Sequence, residues 1–160
     1  TRSPEAIAMA TFPELIFPQI DARTELTGSV ERIYDVVRRT YVALTPEEWV
    51  RQHCIHWLMS QGYPLGRCSV ERAISVSGTT MRYDVVWMDD QLRPYLLIEC
   101  KAPTTPITAA VVEQSAWYNH TLHAPFLLIT NGRTAHCYSC KPDGSFTVMT
   151  DVPPYPQHSP

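Results

Sequence analysis

The stretch PYLLIECKAP, residues 94–103, constrains the fold more than any other part of the sequence. Its apolar residues predict a buried strand, yet that strand ends with Glu99 and Lys101 just before a proline. Charged side chains at the end of an apolar strand cost solvation free energy unless they have partners. The two charges are therefore either a solvated ion pair at a sheet edge or side chains placed for chemistry.

The length and composition predict one domain. A chain of 160 residues can bury a substantial core, and 44% hydrophobic with 18% charged residues is typical of a globular protein. We expect a single domain over residues 1–160, with its core at about 30–150. Four prolines make the tail at 153–160 a poor candidate for regular structure.

Compartment and charge are also constrained. The sequence has no apolar run long enough for a membrane helix and no basic-then-apolar leader, which predicts neither membrane insertion nor export. Five cysteines without the spacing of a disulfide framework predict reduced thiols and a cytoplasmic location. A net charge of -3 does not favour strong binding to nucleic acid through charge alone.

Local signals predict a mixed α/β order. Gly28-Ser29 in the loosely alternating segment 14–34 predicts a leading hairpin. Thr45 as N-cap, Pro46 at the first helical position and Glu48 completing a capping box then predict a helix. Further along, we expect strands at 68–76, 82–88 and 95–101, a helix at about 108–121, and strands in FLLIT, TAHCYS and SFTVM.

The polar stretch DDQLRP reads as the loop of a hairpin between Met88 and Tyr95. If these two residues lie opposite each other, Asp84 lies opposite Glu99, with both side chains on one face of the sheet. Lys101, two residues beyond Glu99, shares that face. Two opposed carboxylates repel each other, and a bound divalent cation is the simplest physical reason to tolerate them.

Two helices supply further candidates. Gln114 and Tyr118 stand four residues apart on one helix face, and a short connection keeps that helix near Lys101. The alternative is that Gln114 is merely exposed and Tyr118 belongs to the core. On the first helix, Glu47 and Glu48 each offer a carboxylate; Glu48 can serve as a cap, which leaves Glu47 as the freer acid.

The fragments HCIH (53–56) and HCYSC (136–140) invite a zinc interpretation. The two histidines can share a helix face. Cys137 and Cys140, however, lie three residues apart in an alternating run, which places them on opposite faces of a strand. Zinc ligands must converge tetrahedrally, so a zinc site is the weaker hypothesis.

Taken in order, these residues resemble the PD-(D/E)XK nuclease superfamily. The pattern is a helix acid, Asp84, Glu99-Cys100-Lys101 and then Gln114-x-x-x-Tyr118, the last element being typical of the RecB-like branch. The segments LTPEEWVRQ, RYDVV, LLIECKAP, YN and ITNG resemble, more closely, the N-terminal nuclease domain of type I restriction enzyme R subunits in a small stand-alone form, over about residues 30–140. One departure is Tyr83, which stands where the superfamily pattern has proline. No helicase motor follows, so we do not expect ATP-driven translocation.

The resemblance implies a restriction-endonuclease-like α/β fold, a mixed sheet flanked by helices with an additional N-terminal hairpin. It also implies Mg²⁺-dependent hydrolysis of phosphodiester bonds, with Mn²⁺ able to substitute. The implied metal ligands are Asp84, Glu99 and the backbone carbonyl of Cys100. Lys101 would orient or deprotonate the attacking water, or neutralise charge on the phosphate.

The remaining roles follow from the same resemblance. Glu47 or Glu48 would complete the metal shell through water, while Gln114 and Tyr118 would hold the phosphate or Lys101. DNA is the implied substrate, with RNA as an alternative, and the candidate phosphate contacts are Arg51, Arg82 and Arg38. Because the net charge is -3, we expect weak intrinsic DNA affinity or a site completed by a homodimer or a protein partner. The rival reading is a non-catalytic nucleic-acid-binding or scaffold module of the same fold.

Overall fold

The computed structural model describes residues 12–157, so the two ends of the predicted domain, 1–11 and 158–160, lie outside the described residues. The described part contains a three-stranded sheet, a six-stranded sheet and two α-helices. No helix within it is long and apolar enough to cross a membrane. In chain order the elements are β1 (Thr24–Thr27), β2 (Val30–Asp35), β3 (Thr40–Ala43), α1 (Pro46–Ser60), β4 (Cys68–Val76), β5 (Thr79–Met88), β6 (Pro94–Cys100), α2 (Ala109–Leu122), β7 (Phe126–Thr130), β8 (Ala135–Cys140) and β9 (Phe146–Met149).

The N-terminal sheet confirms the predicted hairpin and extends it. β1 and β2 pair antiparallel around Gly28, whose φ of +64° is the left-handed conformation that glycine adopts without strain. β3, which pairs with β2, was not predicted. The turn before it lacks glycine and is built by the Asp35 carboxylate, which accepts hydrogen bonds from the amides of Val37 and Arg38. Ile33 of this sheet packs against Trp49, which joins the sheet to α1.

Helix α1 begins where its sequence signals predict. The Thr45 hydroxyl oxygen accepts a hydrogen bond from the Glu48 amide (3.1 Å), and Pro46 is the first helical residue. The predicted capping box is wrong in its second half, because the amide of Thr45 donates to the carbonyl of Ala43. The Glu48 carboxylate is directed instead to two arginines. Thr108 likewise caps α2, as predicted, by accepting a hydrogen bond from the Val111 amide.

The six-stranded sheet, in the order β4 to β9, lies between the two helices. β6 and β7 run parallel and the other neighbours antiparallel, so the predicted mixed sheet and α/β class are confirmed. One face forms the α1-side core and the other the α2-side core. The α1-side core includes Val50, Cys54, Ile55, Leu58, Val85, Trp87, Leu96 and Ile98, and the α2-side core includes Tyr83, Val86, Leu97, Val112, Leu122, Leu127 and Ile129.

The pairing of β5 with β6 follows the predicted register over most of its length. Val85 pairs with Ile98 and Trp87 with Leu96, and the pairing stops at Val85 and Ile98, so Asp84 and Glu99 are the next residues on the two strands. The starting assumption was wrong, because Met88 pairs with Pro94 rather than Tyr95. An irregularity between Trp87 and Met88 shifts the register by one residue. Since that shift lies at the loop end, it leaves the charged end of the two strands unchanged.

The proline-rich tail has no regular structure over residues 150–157, as predicted, yet it is packed against the sheet. The Tyr155 hydroxyl donates to the Met88 carbonyl (2.9 Å), and its ring lies 5.2 Å from the ring of Tyr63. The hydroxyls of Tyr63 and Tyr95 donate to the carbonyls of Pro153 and Pro154. Tyrosines therefore fix a segment that prolines keep out of helices and strands.

We expect Tyr155→Ala to lower the free energy of unfolding by about 2 kcal/mol, because it removes a half-buried ring and its hydrogen bond. Tyr155→Phe keeps the ring and should lose only about 1 kcal/mol. Urea unfolding of both variants measures the difference. Equal losses in the two variants would show that the ring contributes nothing to the packing of the tail.

Candidate active site

Of the two predicted metal-binding carboxylates, Asp84 lies within β5 just before the stretch that pairs with β6, and Glu99 lies near the end of β6. Asp84 Oδ2 accepts a hydrogen bond of 2.6 Å from the backbone amide of Cys100. The Glu99 carboxylate in turn interacts with the backbone amide of Asp84, which helps to hold it in its charged form. Each carboxylate is thus tied to a backbone amide of the neighbouring strand, which holds the pair close together where the pairing of β5 with β6 stops.

Strict alternation of side chains breaks down beside Asp84. The pairing of β4 with β5 skips Glu71, which has a φ of +50°, an unusual value for a residue other than glycine. Tyr83 consequently packs in the α2-side core, whereas Val85 packs in the α1-side core. The simple prediction of one shared face for Asp84 and Glu99 therefore needs correction, since the Asp84 carboxylate reaches an arginine of α1.

That arginine belongs to an ionic cluster that the sequence did not reveal. Arg51 Nη2 lies 2.9 Å from Asp84 Oδ1, and Arg51 Nη1 lies 3.1 Å from Glu48 Oε2. Arg38 contacts three carboxylate groups, those of Asp35, Glu71 and again Glu48. Four carboxylates thus face two guanidiniums, so the cluster carries an excess of negative charge. We call this set the ionic cluster: Asp35, Arg38, Glu48, Arg51, Glu71 and Asp84.

The contact between Arg51 and Asp84 is an ion pair without hydrogen-bond alignment. Asp84 Oδ1 and both Nε and Nη1 of Arg51 are buried and have no hydrogen-bond partner among residues 12–157. The Arg51 side chain is only 9% exposed. A buried carboxylate oxygen therefore retains lone pairs that its neighbours do not satisfy.

The pKa values at the site reflect burial and mutual repulsion. Burial raises the pKa of Asp84, although the charge of Arg51 opposes the rise. Burial, followed by the negative charge of Asp84, raises the pKa of Glu99 to about 7, while Lys101 works in the opposite direction. Burial also raises the pKa of Glu48. Burial is therefore the main cause of the raised pKa values at the site, and repulsion between carboxylates adds to it.

The donor set suits Mg²⁺ chemically. Mg²⁺ is commonly held by one or two carboxylates together with waters and substrate phosphates. Asp84 and Glu99 offer two carboxylates, and the raised pKa of each means that a nearby positive charge would stabilise its ionised form. No group of three or more His, Cys, Asp or Glu side chains is arranged to hold a metal ion within residues 12–157. An ion at Asp84 and Glu99 would therefore need further oxygen ligands, from backbone, water or phosphate.

The raised pKa of Glu99 predicts a pH dependence of stability in the metal-free protein. The folded state holds this proton more tightly than the unfolded state, where the pKa is near 4.5. Stability from this group is therefore complete below pH 4.5 and is lost as pH rises to about 7. We expect Glu99→Gln, in EDTA at pH 8, to unfold with a free energy on the order of 2 kcal/mol higher than wild type.

Denaturant unfolding of both proteins at several pH values between 4 and 8 measures this effect. The difference between wild type and Glu99→Gln should grow with pH, because only wild type loses a proton at this position. A difference that stays constant across this range would mean that Glu99 titrates normally.

Lys101 directly follows β6, and α2 is the next helix along the chain. Lys101 is half-buried, its amide donates to the Thr130 carbonyl (2.8 Å), and its charge lowers the pKa of Glu99. Gln114 Nε2 donates to the Tyr118 hydroxyl at 3.4 Å, which confirms the shared helix face. Tyr118 is 37% exposed, so the alternative that places it in the core is wrong.

Tyr83 connects this helix to the carboxylates. Its hydroxyl donates to the Tyr118 carbonyl (3.0 Å), and the charge of Glu99 contributes to raising its pKa after burial. Tyr83 directly precedes Asp84, at the position where the superfamily pattern has proline. The departure from the pattern therefore supplies a link between β5 and α2.

The structure separates the two helix acids. Glu48 is buried in the ionic cluster, whereas Glu47 is exposed on the first turn of α1. The charge of Glu47 nevertheless reaches Asp84 and contributes to its raised pKa. Glu47 is thus the freer of the two carboxylates, as predicted from the sequence.

The three candidate phosphate contacts have different surroundings. Arg51 is buried and ion-paired, whereas Arg38 is exposed but its guanidinium is engaged by three carboxylates. Arg82 is exposed on β5.

The histidines and cysteines serve the core. His53 Nδ1 donates to the Trp49 carbonyl (2.8 Å), and burial lowers its pKa. Cys137 lies in the α1-side core, whereas Cys140 packs against the α2-side core, which confirms their opposite faces. All five cysteines lie within the described residues and are free thiols.

An Asn-Gly turn fixes the segment that follows Lys101. Asn131 Nδ2 donates to the Thr105 carbonyl (2.8 Å), while its Oδ1 accepts from the amides of Arg133 and Thr134. The dipeptide Asn131-Gly132 is a turn signal that the sequence offered, although its tie to residue 105 was not predicted.

Comparison with protein families agrees with this arrangement. Residues 46–153, more than half of the chain, match the model of the type I restriction enzyme R protein N terminus (HSDR_N). The chain belongs to this family. The matched range contains every predicted site residue except Arg38, and it leaves out the N-terminal three-stranded sheet. No curated protein and no solved structure matches the chain significantly. The protein therefore contains a nuclease-like domain of the type I restriction R-protein family.

Proposed function

We propose that this domain hydrolyses phosphodiester bonds in DNA with the help of Mg²⁺, for which Mn²⁺ can substitute. The observation that carries the proposal is the pair of carboxylates of Asp84 and Glu99, which lie where the pairing of β5 with β6 stops. Asp84 and Glu99 both have raised pKa values, and the two carboxylates repel each other. The positive charge of Lys101 is close enough to lower the pKa of Glu99. Membership of the restriction R-protein family supports the same reading.

In this proposal Asp84, Glu99 and the Cys100 carbonyl hold the ion. Bound Mg²⁺ would polarise the scissile phosphate and lower the pKa of a water molecule. The hydrogen bond from the Cys100 amide fixes the orientation of the Asp84 carboxylate, which leaves Oδ1, now ion-paired with Arg51, as the oxygen that an ion would contact. Restraint of this kind before the ion arrives reduces the ordering cost of binding.

Lys101 acts on the water and the phosphate. In its charged form, the Lys101 ammonium group orients the attacking water and offsets the charge that develops on the phosphate oxygens. In its neutral form, the Lys101 amine accepts a proton from that water. The attacking water gives up a proton, to Lys101 or to solvent, and its oxygen forms a bond to phosphorus while the bond to the leaving oxygen breaks. The leaving oxygen takes up a proton from solvent, which yields one phosphate end and one hydroxyl end. Gln114 and Tyr118 hold the phosphate or Lys101, and Glu47 supports the metal shell through water.

The surroundings of the site suggest weak binding of isolated DNA. The net charge is -3, and Arg38 and Arg51 are occupied by carboxylates, which leaves Arg82 as the candidate phosphate contact on β5. A homodimer or a protein partner that adds positive charge is therefore part of the proposal. Free thiols on all five cysteines fit a reducing compartment such as the cytoplasm.

Cleavage assays on four substrates test the proposal. Supercoiled plasmid, circular single-stranded DNA, linear duplex DNA and single-stranded RNA are each incubated with the protein and Mg²⁺, Mn²⁺ or EDTA. We expect cleavage of DNA with either metal and none in EDTA. Cutting of the circular substrates identifies an endonuclease, whereas cutting of linear DNA alone identifies an exonuclease. Failure on every DNA substrate, with the metal bound, would reject the proposed activity for the isolated domain.

One observation favours the non-catalytic alternative. Arg51 already neutralises part of the charge on Asp84, and no three-residue metal group is formed among residues 12–157. A binding or scaffold module of this fold should shift the mobility of DNA in a gel without cutting it and without binding Mg²⁺. That pair of results would favour the alternative over the nuclease.

A further inference from the structure

Arg51 forms an ion pair with Asp84, one of the proposed metal ligands. It projects from the middle of α1, its side chain is 9% exposed, and Nη2 lies 2.9 Å from Asp84 Oδ1. The other oxygen of Asp84 is bound by the Cys100 amide. In the metal-free protein, positive charge at Asp84 is therefore supplied by an arginine of the chain itself.

We propose that Arg51 is an exchangeable counter-ion, which holds Asp84 in the metal-free protein and is displaced toward Glu48 and Glu71 when a divalent cation binds. This inference rests on the proposed function, because it concerns the same metal site. It assigns Arg51 a positioning and competing role, in place of the phosphate contact expected from its sequence.

The contacts of Arg51 make such an exchange feasible. Its Nη1 is already 3.1 Å from Glu48 Oε2, and its Nη2 is 3.6 Å from Glu71 Oε1. The guanidinium can therefore leave Asp84 without losing every charged partner. Neither its contact to Asp84 nor that to Glu48 has hydrogen-bond alignment, so a small movement breaks no directional bond.

The electrostatics require some exchange of this kind. A buried carboxylate without a counter-ion destabilises the fold, which gives Arg51 a purpose before the metal arrives. A divalent cation at Asp84 Oδ1 repels a guanidinium whose nitrogen lies 2.9 Å from the same oxygen. The cation must therefore compete with Arg51, and its affinity is lower than the two carboxylates alone would give.

Arg38 provides a matched control for this idea. It belongs to the same ionic cluster and contacts Asp35, Glu48 and Glu71, but it makes no ion pair with Asp84. Arg38→Gln and Arg51→Gln remove the same charge from the same cluster. If only the total charge of the cluster matters, both variants should bind the divalent cation more tightly. If Arg51 competes with the cation for Asp84, only Arg51→Gln should do so.

Isothermal titration calorimetry with Mn²⁺ and Mg²⁺, on the full chain, tests the proposal. We expect Arg51→Gln to bind the ion at least about tenfold more tightly than wild type, and Arg38→Gln to change the affinity less than about threefold. The rise in melting temperature on adding Mg²⁺ should also be larger for Arg51→Gln. Equal or weaker binding by Arg51→Gln, with wild type binding the ion, overturns the exchange and leaves the proposed function standing.

Nuclear magnetic resonance on wild type keeps the test decisive if Arg51→Gln does not fold. The side-chain Nε–H signal of Arg51, assigned through its absence in Arg51→Lys, should shift when Mg²⁺ saturates the protein, whereas that of Arg38 should move little. An Arg51 signal that does not respond at saturation overturns the exchange. Metal binding by Arg51→Gln but not by wild type supports it, and absence of binding in both proteins rejects the exchange together with the proposed metal site.

Discussion

We expect Asp84→Asn to reduce Mg²⁺-dependent DNA cleavage by roughly 10³-fold, because the stabilisation that a metal supplies is worth several kcal/mol. Asparagine keeps the size of the side chain and an oxygen that can accept the hydrogen bond from the Cys100 amide. It lacks the charge that attracts the ion and that pairs with Arg51. Metal binding measured by calorimetry should be lost together with cleavage.

Asp89 offers a matched control on the same part of the chain. It follows the last residue of β5, and its carboxylate accepts hydrogen bonds from the amides of Gln91 and Arg93 in the loop. Asp89→Asn makes the same chemical change at the far end of the strand and should leave cleavage within about twofold of wild type. Cleavage by folded Asp84→Asn within tenfold of wild type would remove Asp84 from the metal site.

Lys101→Met should separate metal binding from chemistry. We expect a loss of cleavage of about 10²- to 10³-fold, the range for removal of a group that transfers protons or stabilises charge. Affinity for Mg²⁺ should be retained or increase, because the substitution removes a positive charge that acts on Glu99. Calorimetry and a plasmid cleavage assay on the same preparation measure the two effects.

Lys141 is the corresponding control, since it is an exposed lysine in the turn between β8 and β9. Lys141→Met should cleave and bind metal as wild type does, unless this surface contacts DNA. If Lys101→Met lost metal binding as well as cleavage, the lysine would be a structural part of the site. A fully active Lys101→Met would exclude it from the chemistry.

Much of the fold was accessible from local sequence signals. Thr45 with Pro46, and Thr108, marked the starts of both helices, because capping depends on neighbours a few residues away. Apolar runs bounded by turns located the six strands of the main sheet. The register of β5 with β6 over Val85 to Trp87 followed from a short hairpin, despite the shift at Met88, and Asp84 and Glu99 are the next residues beyond that paired stretch.

Other features depend on contacts that sequence spacing does not encode. β3 was missed because Asp35 forms its turn through a side chain rather than through glycine. Arg51 appeared as a free cation near Glu47, whereas its partner Asp84 lies 33 positions along the chain. Glu71 joins the cluster because the pairing of β4 with β5 is interrupted at this residue. Long-range ion pairs and local departures from alternation therefore set the limit of prediction.

The most direct test of the nuclease proposal is a side-by-side assay of wild type and Asp84→Asn on supercoiled plasmid. Both proteins are first shown to be folded by circular dichroism and are then incubated with Mg²⁺ or with EDTA. We predict nicked or linear DNA for wild type in Mg²⁺ alone, and intact plasmid in the other three reactions. Cleavage by wild type in EDTA, or equal cleavage by both proteins in Mg²⁺, would contradict the assignment of a metal-dependent site to Asp84 and Glu99.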